Sequence, residues 1–232
     1  MQVFDNTPVK PKGFSLANFF QQPCISLTAF IMGIYFLLGW LVQTNLLNEA
    51  FYLNHFAGSL EPETTQSMIL KILRFNTFKT IAFTFIPLGN IFLTAIGVYL
   101  FLYFYNHQVS PKSIANSVAS AYLIFIIPYA IKFVWFDLHP NFTFNQFDDF
   151  QAGAWLSVVI PSTYHSVITE ILNSTFTAFE ILFWVILTWR LTADLQVSPA
   201  LSTRAVLLGY GAGLLMLTVV RLYLAYLLPF KL

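Results

Sequence analysis

The chain has 232 residues, of which 57% are hydrophobic and only 9% are charged, and its formal net charge is +1. A typical soluble domain carries about 25% charged residues, so these charges are too few to cover a surface that faces water. The near-neutral charge gives no sign of a nucleic-acid partner, and the single cysteine, Cys24, excludes an internal disulfide.

Five apolar segments are long enough to cross a bilayer, because a helical span needs about 20 mainly apolar residues. The predicted spans are 25–46, 80–105, 113–136, 168–189 and 205–228. Pro87 and Pro128 predict kinks in the second and third spans, since proline cannot donate a helical hydrogen bond. The first span is read as retained and not as a signal peptide. The predicted fold is all-α, with a cytoplasmic segment 1–24 before a single transmembrane domain over 25–232.

The long connection before the second span carries a further helical pattern over Pro62–Phe78. Its residues Met68, Ile69, Ile72 and Leu73 lie on one helical face. This pattern predicts either a helix that lies flat at the membrane interface or an extension of the second span.

The loop charges give a near tie for the orientation of the bundle. With the N-terminus inside, the inner side carries Lys10, Lys12, Lys112, Arg190 and Arg204, and the outer side carries Lys71, Arg74, Lys79 and Lys231. The short loops and the absence of basic residues from segment 137–167 favour this orientation.

Three charges lie well inside the predicted spans, Lys132, Glu180 and Arg221, and Glu170 lies near the beginning of the fourth. A charge in lipid is costly unless it is paired or reached by water, so we expect a Glu180–Arg221 ion pair between the fourth and fifth spans. The functional alternative is a proton or ion pathway through Glu180. We favour a role in helix packing, with Lys132 and Arg221 reaching the head groups, because no series of acids and histidines runs through the spans.

Small residues repeat along one face of the fifth span at Ala205, Gly209 and Gly213. Such spacing lets helices approach closely, so this face is predicted to pack against another span or a second subunit. The third span has a similar face at Ser113, Ser117 and Ala121, which predicts that spans three and five pack together.

Three stretches resemble the family of Ypt/Rab-interacting membrane proteins, the YIP family, over about residues 15–228. They are Asn18-Phe-Phe-Gln-Gln-Pro23, the turn and span from Val109-Ser-Pro-Lys to Ile127-Pro128, and Ala178-Phe-Glu-Ile-Leu-Phe-Trp184 followed by Val197-Ser-Pro-Ala-Leu-Ser-Thr-Arg204. The Asp-Leu-Tyr-Gly-Pro stretch of the eukaryotic members is absent, which indicates a bacterial-type member. The resemblance implies an all-helical membrane protein without a catalytic centre.

The functional expectation is a non-enzymatic membrane organiser or adaptor that acts through helix–helix or lipid contacts. Its expected partners are the bilayer and other membrane subunits or a second copy, in a bacterial inner membrane or, alternatively, a eukaryotic endomembrane. No cofactor or metal is expected, since the four histidines lack metal-site spacing. The alternative is a small permease, or a membrane subunit of a transport or respiratory assembly, with Glu180 near a polar pathway.

Overall fold

The computed structural model describes residues 24–56, 62–154 and 167–227, and this part of the chain is helical without a strand. Five of its helical segments are long and apolar enough to cross a membrane: Ile25–Leu46, Thr65–Phe104, Pro111–Leu138, Ile171–Leu195 and Pro199–Leu227. The predicted all-α, multi-span fold is therefore confirmed. The predicted N-terminal segment lies outside the described residues except for Cys24.

Eleven α-helices make up the described part of the chain. They are α1 (Cys24–Leu41), α2 (Glu49–Phe56), α3 (Pro62–Thr84), α4 (Ile86–Phe104), α5 (Pro111–Tyr122), α6 (Ile126–Leu138), α7 (Phe144–Asp149), α8 (Val167–Thr175), α9 (Ala178–Leu195), α10 (Pro199–Arg204) and α11 (Ala212–Leu227). A π-helical turn, Val42–Leu46, extends α1, and another, Ala205–Gly211, joins α10 to α11. A 3₁₀ turn, Leu123–Phe125, joins α5 to α6.

The helix interruptions in the second and third spans fall just before their prolines. Phe85 separates α3 from α4, two residues before Pro87. The 3₁₀ turn between α5 and α6 similarly precedes Pro128. Proline has no N–H for the carbonyl four residues earlier and its ring clashes with that carbonyl, which accounts for both interruptions.

The helix predicted over Pro62–Phe78 forms and continues into the second span. Ile69 is 1% exposed and packs in one cluster with Leu46 and Tyr52. The side chain of Asn76 donates a hydrogen bond to the Tyr52 hydroxyl at 2.8 Å. The apolar face of α3 thus meets α1 and α2, and the structure favours the extension over a helix lying flat in lipid.

This extension makes the second span unusually long. Thr65–Phe104 contains 40 residues, or about 60 Å of helix at 1.5 Å per residue. A hydrocarbon layer is only about 30 Å thick, so part of α3 must project beyond it or the span must tilt. The break at Phe85 gives the segment a place to change direction.

The main core lies in the middle of the bundle and receives side chains from all five spans. Fully or almost fully buried members include Ile31, Val98, Val118, Leu187 and Val206. Many large apolar side chains instead face outward, among them Leu93 at 67% and Met216 at 71% exposure. This outward apolar surface is what a protein surrounded by lipid requires.

The connections segregate to the two ends of the bundle. At one end α2 meets the segment before α7, where the rings of Phe51 and Phe142 lie 5.0 Å apart. At the other end the α4–α5 and α9–α10 connections border one cavity. This agrees with the predicted grouping of loops on two sides, while the orientation relative to the cytoplasm stays a prediction.

Candidate functional site

Glu180 lies at the beginning of a helix and not in the middle of one. The fourth span is interrupted at Phe176 and Thr177, and α9 begins at Ala178. The Thr177 hydroxyl accepts a hydrogen bond from the Glu180 backbone N–H at 3.1 Å and so caps the helix. The first turn of a helix favours a carboxylate, which lowers the cost of placing Glu180 inside the bundle.

The Glu180 carboxylate is bound by neutral donors. Its residue is 6% exposed, and its Oε1 atom accepts a hydrogen bond from the indole Nε1 of Trp184 at 2.8 Å. The Tyr210 hydroxyl of the fifth span also interacts with the carboxylate. Because these two donors come from different spans, Glu180 joins the fourth span to the fifth.

The expected Glu180–Arg221 ion pair is not formed. Arg221 is exposed on the outer face of α11, and the ion pair that occurs among the described residues joins Arg190 to Asp194. The reason is that Tyr210, and not Arg221, is the residue of the fifth span that faces the beginning of α9. Arg221 is free to extend its long side chain toward the head groups.

Further polar side chains continue from Glu180 through the core. The Tyr122 hydroxyl accepts a hydrogen bond from the Asn90 amide at 2.8 Å and also interacts with Tyr35. Tyr35 in turn donates to the Phe125 carbonyl at 3.3 Å. We refer to the set as the aromatic–polar core, and it comprises Tyr35, Asn90, Tyr122, Glu180, Trp184 and Tyr210, with members from all five spans.

Apolar rings fill the space between the members of the aromatic–polar core. The Phe183 ring is fully buried and lies 6.1 Å from the Tyr122 ring and 5.2 Å from the Tyr210 ring, centroid to centroid. Two cavities, of about 540 and 480 Å³, lie at the ends of the bundle, and no residue of the aromatic–polar core lines either of them. Its low exposure, together with the rings around Phe183, places Glu180 in the buried part of the bundle that the structure describes.

Lys132 is held by an aromatic ring. Its ammonium lies 4.1 Å from the centroid of the Phe147 ring, and Phe147 is 7% exposed. A cation over a ring face is stabilised by about 0.5–2 kcal/mol, depending on how far it is desolvated. Lys132 thus fixes α7 against α6, and it takes no part in the contacts given above for Glu180.

The small-residue face of the fifth span meets the second span and not the third. A Cβ atom added to Gly97 would lie 2.3 Å from the Gly209 carbonyl oxygen, and one added to Gly209 would lie 2.8 Å from the Gly97 carbonyl oxygen. Ala205 is fully buried, whereas a Cβ at Gly213 would meet nothing within 4 Å. The expected pairing of spans three and five is wrong, because Gly97 offers a closer approach.

The third span directs its small residues toward the fourth. The Ser117 hydroxyl donates to Asp194 Oδ2 at 2.6 Å, and Arg190 Nη2 lies 3.2 Å from the same oxygen. Nearby, the Thr192 hydroxyl donates to the Ser202 hydroxyl at 2.9 Å and joins the fourth span to α10. Ser117 is fully buried, so this polar cluster locks spans three, four and five near one end.

Sequence reasoning missed most members of these polar clusters. A threonine three residues before Glu180 matches the pattern that begins helices, so the position of Glu180 in a first turn had a readable signal. Asp194 follows Arg190 at the spacing of helical neighbours, which also predicts their pair. No local signal in the sequence assigns Tyr122, Tyr210 or Gly97 to their partners.

Metal chemistry gains no support from the geometry. Within the described ranges no three side chains of His, Cys, Asp or Glu come together as metal ligands do. His55 and Asp137 line the same end cavity, but His107 lies at the opposite end. The fourth histidine, His165, lies outside the described residues.

No family model matches the chain, and neither does any curated protein or any solved structure. The resemblance to the YIP family therefore stays a prediction from the sequence pattern.

Proposed function

We propose that this protein is a non-enzymatic integral membrane organiser or adaptor that acts through helix–helix or lipid contacts. The observation that carries the proposal is the enclosure of Glu180 by Trp184 and Tyr210 in a packed core. A buried carboxylate within the spans is thereby used to hold helices together. Such a role needs no substrate pathway.

A permease would need water or substrate to reach this carboxylate. Glu180 lines neither end cavity, and the fully buried Phe183 ring packs against both Tyr122 and Tyr210. The Trp184 indole donates a hydrogen bond to the carboxylate, and no ion pair involves Glu180 among the described residues. These features support the organiser over the transport alternative.

The outer surface carries exposed apolar side chains, which a protein that acts through helix or lipid contacts requires. Along α11, Met216, Val219 and Tyr223 are 71%, 64% and 61% exposed. Beside them the space at Gly213 is open. This face is available to lipid or to a helix of a partner membrane protein, a second copy included.

The finer parts of the proposal come from the sequence pattern. We propose a YIP-type protein of bacterial character with its N-terminus inside, most simply in an inner membrane. The resemblance supports this placement together with the positive charges of the short loops.

Reconstituted vesicles test the proposal against transport. Purified protein in liposomes with an entrapped pH-sensitive dye should give the same proton leak as empty liposomes, and Glu180→Gln should leave this leak unchanged. A leak above that of empty liposomes that disappears in a folded Glu180→Gln variant would overturn the organiser in favour of a pathway.

Photocrosslinking tests the contact surface itself. A photoreactive phenylalanine at Met216 should form adducts with a membrane protein or with lipid in native membranes, whereas one at buried Ile31 should crosslink only within the chain. Equal patterns from the two positions would remove the support that this face gives to the proposal.

A further inference from the structure

A cleft of about 540 Å³ opens where the α4–α5 and α9–α10 connections meet. Its polar lining comprises Tyr105, His107, Gln108, Gln196, Ser198 and Arg204. The volume lies within the range of about 300–1,000 Å³ found for small-molecule sites. The cleft therefore has room for a group larger than a water cluster or a bare ion.

The electrostatics of this cleft favour an anion. Arg204 is positively charged, and none of the residues that line the cleft is acidic. Arg204 forms no ion pair with any residue that the structure describes, and Asp194, which precedes the lining residue Leu195, is already bound to Arg190 and Ser117. An unpaired guanidinium beside neutral amide and hydroxyl groups is the arrangement that binds phosphate through its planar fork.

Arg204 lies near the beginning of the fifth span. The fifth span begins at Pro199, so Arg204 lies five residues, or about 7 Å, into it at 1.5 Å per residue. The head-group layer of one leaflet is about 5–7 Å thick. A bilayer that covers all 29 residues of this span, or about 43 Å of helix, would place the backbone of Arg204 near the boundary between head groups and hydrocarbon.

We propose that this cleft binds a phosphate group, with Arg204 as the principal cation and Gln108 and Gln196 as hydrogen-bond donors at its mouth. Two sources share this chemistry: the head group of an anionic phospholipid and a soluble phosphate. The inference deepens the proposed function, because it rests on a role in lipid contacts and names the lipid group that would be bound.

The test is a binding titration of the purified full chain in neutral detergent, followed by native mass spectrometry or thermal shift. One arm adds phosphatidylglycerol, with phosphatidylcholine as the neutral lipid, and the other adds inorganic phosphate. The variant Arg204→Gln removes the cation, and Arg74→Gln, an exposed arginine at the other end of the bundle, makes the same charge change elsewhere.

Loss of one charge-assisted hydrogen-bonding group should weaken binding about tenfold. Phosphatidylglycerol should bind more tightly than phosphatidylcholine, and Arg204→Gln should remove the difference while Arg74→Gln retains it. Binding of inorganic phosphate that depends on Arg204, with no preference for the anionic lipid, would assign the cleft to the soluble source. No binding in either arm, or equal effects of the two arginine variants, would overturn the proposal.

A second pair of variants covers the case in which Arg204→Gln does not fold. Gln108→Glu places a negative charge at the cleft, and Gln66→Glu places one on an exposed position of α3. Only the first should weaken binding, and equal binding by both would contradict the site. This assay uses no partner protein, so its failure would leave the helix-contact part of the proposed function standing.

Discussion

The contact between Gly97 and Gly209 gives the sharpest prediction for the stability of this bundle. A methyl group at Gly97 would lie 2.3 Å from the Gly209 carbonyl oxygen, which belongs to backbone and cannot rotate away. Ordinary contacts need more than 3 Å, so Gly97→Ala must push the second and fifth spans apart. Overpacking of this kind costs about 1–3 kcal/mol.

Gly213→Ala is the matched control, because a methyl group there meets nothing within 4 Å. Both substitutions gain the same helix propensity, about 1 kcal/mol, so the difference between the variants isolates the packing cost. Gly97→Ala should therefore be about 1–3 kcal/mol less stable than Gly213→Ala. Unfolding of each variant in mixed micelles by a denaturing detergent, followed by circular dichroism, measures this difference. Equal stability of the two variants would refute the helix contact.

Three further predictions test the polar groups. Glu180→Gln should be close to neutral in stability because an amide oxygen can accept the same hydrogen bonds. Glu180→Leu should cost about 1–3 kcal/mol because it leaves the buried donors around position 180 unpaired. Equal unfolding midpoints of the two variants would contradict the role of Glu180 in helix packing. A double-mutant cycle of Ser117→Ala and Asp194→Ala should give a coupling of about 1.5 kcal/mol, as for a hydrogen bond to a charged group, and a coupling near zero would remove the bond from the account. Burial raises the pKa of Tyr52 above its usual value of 10.0, so the folded state holds this phenolic proton more tightly than the unfolded state. The resulting stabilisation is complete below about pH 10 and decreases as the pH rises through the higher folded pKa. Above about pH 10, the free energy of unfolding should therefore decrease less with rising pH in Tyr52→Phe than in Tyr226→Phe, an exposed control. Identical pH profiles of the two variants would contradict the burial effect.

The spans could be predicted from the sequence because their cause is local. A run of apolar residues must satisfy its backbone within a helix when lipid surrounds it, so the run itself specifies the element. The apolar pattern predicts that the second span begins at residue 80, because Lys71, Arg74 and Lys79 interrupt the pattern before it. Helix geometry does not end at those charges, and α3 continues back to Pro62.

Helix partners could not be predicted, because they depend on faces that meet across long sequence distances. Ala205 and Gly209 were identified as a packing face, but nothing local marks Gly97 as its counterpart. The sequence indicates that Glu180 is costly to bury, but the expectation of an oppositely charged partner, Arg221, is wrong. Trp184 and Tyr210 solve the same problem with neutral donors, and the sequence contains too many aromatic residues to single out these two.

The accessibility of position 180 tests the central claim of a sealed polar core most directly. In a Cys24→Ser background, and in open membrane fragments whose two faces are both reached by a membrane-impermeant maleimide, a cysteine at Glu180 should resist the reagent while a cysteine at exposed Asn106 reacts. Both positions should react after denaturation, which shows that the thiols are intact. Labelling of position 180 in the folded protein, at a rate near that of position 106, would contradict the packed interior and the organiser role that depends on it.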